Sequence, residues 1–255
     1  MFFASFLFIG LFLVAFACIT LGGLLFDQLT DIPTFINVIE EPEVINAIWI
    51  SISASTASTA AAFIFGVPLA YILARKEFFG KNFIDGILDL PMMIPHIVAG
   101  IALFSIFNPS GIIGAPLKRL GVTFQDHFLG IVVAMLFMSF PYLVNSAREG
   151  FKAVDPKFER VSRSLGASQW TTFLKVTFPL AFPSILNGIL QCWARGISEF
   201  SAVLILAYFP RSAPILIWEK FSSFGLAVSR PISVLLILIC LSIFALLRLI
   251  GRGGR

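Results

Sequence analysis

An all-α protein that crosses a membrane several times is predicted by three observations. Hydrophobic residues make up 58% of the chain and charged ones only 13%, about half of the roughly 25% usual in soluble domains. Mean hydropathy is +0.95. Residues 1–26, 44–74 and 128–147 carry no Asp, Glu, Lys or Arg, and about 20 consecutive apolar residues cross a hydrocarbon core. With so little polar surface to face water, the lipid bilayer is the expected surrounding.

Six spans follow, at about 1–26, 44–74, 84–107, 128–147, 180–209 and 230–250, all in one domain covering 1–255. Span one has no basic segment before it and its apolar run is too long for a signal peptide, so it is expected to remain as a helix. Span two is rich in small residues, from Ser51 through Ser55, Ser58 and Ala62 to Gly66. Small side chains let helices approach closely in lipid, and lining of a pathway is the other reading. Span three is interrupted by His96 and span five by Arg195 and Glu199. Pro68, Pro91, Pro95, Pro141 and Pro183 each remove a backbone donor and can kink a span. Cys18, Cys192 and Cys240 lie in apolar runs without metal-like spacing and read as small apolar fillers. No metal site and no catalytic residue is expected.

Charge sets the orientation. Twelve of the 18 Lys and Arg residues fall on one side, among them Arg75, Lys76, Arg148, Lys152, Arg160, Arg163 and Lys175. Five fall on the other: Lys118, Arg119, Arg211, Lys220 and Arg230. The positive-inside rule places the richer side, both termini and the loop 148–179 in the cytoplasm. The net charge of +4 is therefore a signature of membrane topology, and no nucleic-acid partner is inferred from it.

The loop 148–179 is the most informative polar stretch. Asp155-Pro156 is a helix start, an N-cap acceptor followed by a residue whose missing N–H costs nothing there. Gly166 suits the left-handed position that ends such a helix. Phe158, Val161 and Leu165 share one face, and Ser168 can cap a second helix carrying Trp170, Phe173 and Leu174. Two short helices around a glycine corner present apolar residues and positive charge to the cytosol. Packing on the chain's own spans or on lipid head groups is the alternative use of such a loop.

These residues resemble the "EAA" loop of importer-type ABC transporter permeases. Glu149-Gly150 stands at its opening, Gly166 follows seventeen residues later, and Phe178-Pro179 closes it. Asp155-Pro156 and Leu165-Gly166-Ala167-Ser168 match the family pattern, with Ser162 where Ala is common. The resemblance implies the type I ABC permease fold and a loop that docks on a separate ATPase. Glu149, Gly150, Asp155, Arg163, Leu165 and Gly166 are then the expected coupling positions. No GxxxxGK[ST] phosphate loop occurs, so ATP and Mg are expected on the partner ATPase and no cofactor on this chain.

Charges inside the membrane are expensive and usually face a partner or a water-filled path. Arg195 and Glu199 lie one helical turn apart and can meet. Their segment, Ala194-Arg195 to Glu199-Phe200, resembles span five of molybdate, tungstate and sulfate permeases. Asp89–Leu103, with His96, is similar to the same branch. A self-satisfied pair that fixes helix packing and a role along the pathway or at its gate, shared by His96, Arg195, Ser198 and Glu199, both remain open. The resemblance implies a permease of an ATP-driven molybdate/tungstate importer in the cell membrane. It forms a homodimer with two cytosolic ABC ATPase subunits and an external oxyanion-binding protein. A sulfate or thiosulfate permease and an ion-coupled secondary transporter are the rivals.

Overall fold

The structure, a computed structural model, describes residues 2–252 of the 255. Residue 1 of the first predicted span and residues 253–255 of the basic C-terminal tail lie outside the described residues. The described chain is helical without strands. Its helices are α1 (Phe2–Leu29), α2 (Ile32–Ile39), α3 (Pro42–Arg75), α4 (Lys81–Met93) and α5 (His96–Phe107). They continue as α6 (Gly114–Arg119), α7 (Phe128–Ala153), α8 (Pro156–Ser164), α9 (Gln169–Thr172) and α10 (Phe178–Ile197). The last three are α11 (Ser201–Leu206), α12 (Ala213–Phe224) and α13 (Leu226–Arg252).

Five helical stretches are long and apolar enough to cross a membrane, and the pair α4 plus α5 makes a sixth if counted as one span. That pair lies over the span expected at 84–107, where Pro91 and Pro95 were read as possible kinks, and its two halves meet at 113°. The cause is local. Pro95 lacks an N–H and forces Ile94 into an extended conformation (φ −82°, ψ 146°), so α5 starts afresh at His96. The span expected over 180–209 is also divided. Its helix ends at Ile197, and α11 begins again at Ser201. At its N-terminal end it starts earlier than expected, since α9 runs through a π-helical turn over Phe173–Thr177 into α10.

The framework is three long helices, α3, α7 and α10, packed side by side. Along the C-terminal half of α3, Ala62, Val67, Ala70 and Leu73 meet Leu143, Val144, Ala147 and Phe151 of α7 and Ile185 of α10. Along the N-terminal half of α3, Ile50 and Ala54 share a core with Ile131, Met135, α5, α11 and Ile215 of α12. Glycine permits the crossings. A Cβ on Gly66 would lie 2.9 Å from Val144 Cγ2, and one on Gly188 3.1 Å from the Leu143 backbone. The small residues of α3 serve this packing: Ser55 Oγ donates to the Trp193 carbonyl at 2.7 Å, and Ser51 Oγ accepts from the Ala213 N–H at 2.7 Å. The α1 helix stands apart, packing mainly along α13 and α2, with no residue of its most apolar window buried.

Candidate functional site: an exposed helical knob and a His–Arg–Glu triad

The knob grows from the end of α7. The helix stops at Val154, which adopts an extended conformation. Asp155 then caps α8, its Oδ1 accepting from the Lys157 N–H at 2.8 Å. At the other end Gly166 takes φ +87°. Its N–H bonds to the Arg163 carbonyl at 3.0 Å, and that of Ala167 to the Ser162 carbonyl at 3.2 Å. This double closure on a left-handed glycine is a Schellman stop. Ser168 Oγ then accepts from the Thr171 N–H at 3.1 Å and starts α9.

The face that this turn presents is apolar and open. α8 buries no residue. Leu165 is 83% exposed and Trp170 74%, with Phe158, Val161 and Leu174 also exposed around them. Fully apolar side chains kept out of their own core mark an interaction surface.

The predicted coupling residues divide by position. Leu165 and Gly166 form the tip, Arg163 lies exposed in the last turn of α8, and Asp155 is the cap. Glu149 is still on α7, exposed and paired with Lys152 at 2.9 Å. Gly150 is not on this surface. It is buried against α10, and a Cβ there would lie 2.5 Å from Ser184 Cβ. Overpacking of this kind costs about 1–3 kcal/mol, so Gly150→Val is expected to lower thermal stability in detergent. A variant as stable as the parent would remove this packing role.

The second site lies where the two broken spans meet. Arg195, on the last turn of α10, donates from Nη2 to Glu199 Oε2 at 2.7 Å. Glu199 is fully buried at the break before α11, and its Oε1 accepts from the Ala202 N–H at 2.9 Å. His96, at the start of α5, joins them. Its Nδ1 is 3.1 Å from Glu199 Oε2, and its Nε2 is 2.9 Å from Arg195 Nη2. His96 Nδ1 is also 3.0 Å from Arg195 Nη2, so the guanidinium approaches both ring nitrogens. The His96 side chain is 45% exposed while that of Glu199 is fully covered, so the imidazole lies between a buried ion pair and an open face. Ser198 is adjacent but turns back, its Oγ donating to the Arg195 carbonyl at 3.0 Å.

The pairing of Arg195 with Glu199 is legible in their spacing. The arrival of His96, 99 residues away from Arg195, is not. Sequence reading also missed two polar pins of α4 on α7: Asp85 with Arg148, and Asp89 Oδ1 accepting from Asn145 Nδ2 at 2.7 Å. It missed a cluster on the opposite side of the bundle from the knob as well, where Arg211 binds Glu43 at 2.6 Å and Glu219 at 2.7 Å. Each joins residues whose proximity depends on how helices pack.

Comparison with known proteins gives the family. Residues 66–255 match the family of binding-protein-dependent transport system inner membrane components. The molybdate/tungstate transport system permease protein WtpB of Thermococcus kodakarensis is 44% identical over 245 residues, covering 96% of this chain and 94% of that protein. WtpB of Pyrococcus furiosus is 46% identical over 246 residues, with the same two coverages. Among solved structures, a bacterial alginate ABC transporter superposes with a TM-score of 0.74 at 16% identity, covering 98% of this chain and 92% of that one. Likeness at that identity speaks for the fold alone. The chain therefore belongs to the binding-protein-dependent transport system inner membrane components, the multi-span permease subunits of ABC importers, which work with a separate ATPase and a substrate-binding protein.

Proposed function

We propose that this chain is the permease of an ATP-driven importer of molybdate and tungstate. Identity of 43–47% to four molybdate/tungstate permeases carries the substrate assignment, because it extends over nearly all of the chain in three of them and so includes the pathway helices. The working unit is a homodimer whose knobs each dock on one of two cytosolic ATPase subunits, where ATP and Mg bind. The oxyanion arrives on an external binding protein. Both termini and the knob face the cytoplasm, in keeping with the distribution of Lys and Arg.

The two breaks supply a gate. α5 and α11 pack closely outside them, with Gly100 admitting the Ala202 backbone to about 3.0 Å of where its Cβ would be, and the His96–Arg195–Glu199 contacts tie both starts together. ATP-driven closure of the ATPases opens the outer mouth by moving this paired unit. Glu199 offsets the charge of Arg195, so a passing oxyanion meets a guanidinium already neutralised. That weakens holding and favours release.

ATPase activity of the complex in liposomes, with its ATPase and binding protein present, tests the reading. Molybdate and tungstate are expected to stimulate hydrolysis and sulfate not to. Stimulation by sulfate alone would keep the permease and overturn the substrate. Uptake that persists after ATP depletion would favour a secondary transporter instead.

A further inference from the structure

We infer that Arg75 and Glu159 form the strut through which movement of the docked α8 helix reaches the membrane-spanning helices. This rests on the docking role proposed for the knob and adds residues that the loop motif does not include. The observation behind it is that the large apolar side chains of α8, Phe158 and Val161, are both exposed, so apolar packing does not fasten it to the bundle. What fastens it is polar. Arg75, the last residue of α3, donates from Nε to Glu159 Oε1 at 2.8 Å and from Nη2 to the Val154 carbonyl at 2.9 Å. Thr177, in the π-helical turn that leads into α10, donates to the same Glu159 oxygen at 3.0 Å.

One carboxylate thus receives bonds from the inner ends of two framework helices, and one guanidinium holds both Glu159 and the carbonyl just before α8. Both groups are largely withdrawn from water, with side chains 11% and 16% exposed. A charge-assisted pair in that setting is stiff. From α8 to α9 the side-chain tie among the described residues is a light one, Ser162 Oγ to Thr172 Oγ1 at 3.0 Å. A push on the exposed face of α8 therefore reaches α3 and α10 through Glu159. Glu159 turns inward, away from the docking face, so it acts as a positioning residue.

The test uses the reconstituted complex with its ATPase and binding protein, comparing the parent with Glu159→Gln, Arg75→Met and the double variant. All three are expected to copurify with the ATPase and to hydrolyse ATP. Molybdate transported per ATP should fall about ten-fold, within the range of typical coupling energies. The double variant should be no worse than either single one, since the two residues act as one unit. An unchanged ratio, additive losses, or failure of these variants to bind the ATPase would each overturn the strut. Leu165→Asp, on the outer face, is run beside them. If it keeps ATPase binding and transport, the docking reading fails and takes the strut with it; if it loses ATPase binding while the strut variants keep the parent's ratio, docking stands and the strut alone fails.

Discussion

Leu165→Asp is expected to abolish copurification of the permease with its ATPase while leaving the permease folded. Leu165 is 83% exposed at the tip of α8, so its replacement removes no contact from the chain's own core. On a docked surface the same change places an unpaired carboxylate among Phe158, Val161 and Trp170. Central apolar anchors of interfaces carry about 2 kcal/mol or more, equivalent to a roughly 30-fold weaker complex. The acidic charge adds desolvation cost to that loss. Gly166→Glu should act in the same direction by a second route. The residue sits at φ +87° with open space around its Cβ position, so the cost is backbone strain of about 1–2 kcal/mol that distorts the turn presenting Leu165. Pull-down from detergent and unfolding temperature are the two readouts. A variant that melts like the parent and still binds the ATPase would remove the knob from the interface.

Glu199→Gln is expected to have the largest effect on stability. It leaves Arg195 near the bilayer interior without its charge partner, and breaking a buried pair in this way costs about 3–5 kcal/mol. The amide oxygen can still accept from the Ala202 N–H, so the start of α11 is not the part being tested. Arg195→Met combined with Glu199→Gln removes both charges, and such neutral replacements are often tolerated. The double variant should therefore recover most of the lost thermal stability. Uptake separates the two readings of the pair. If it serves only helix packing, molybdate uptake recovers together with the melting temperature. If it belongs to the gate, uptake stays well below the parent in a protein that is again stable. Recovery of both would assign His96, Arg195 and Glu199 to packing alone.

The parts of these sites that could be read from residues are the local ones. Asp155-Pro156, Gly166 and Ser168 each act on backbone groups within three residues of themselves, so their types at their spacing specify the knob before any packing is known. Arg195 and Glu199 meet because four residues make one helical turn. Gly150 shows where such reading stops. Its place beside Glu149 suggested the docking surface, yet the rotation of α7 turns it toward Ser184 of α10 and leaves Glu149 outside. Helical phase relative to a neighbour is not carried by a short motif.

Membrane residence and helix content were determined by the sequence alone, because long uncharged runs and internal prolines act through lipid and backbone chemistry near each residue. Only the tertiary structure decided that the spans at 84–107 and 180–209 break close together, that His96 completes the Arg195–Glu199 pair across 99 positions, and that Arg75 clamps Glu159 across 84. Those contacts depend on how α3, α7 and α10 cross. The crossing is set by which small residues face each other, a matter of three-dimensional fit with no counterpart in local sequence spacing.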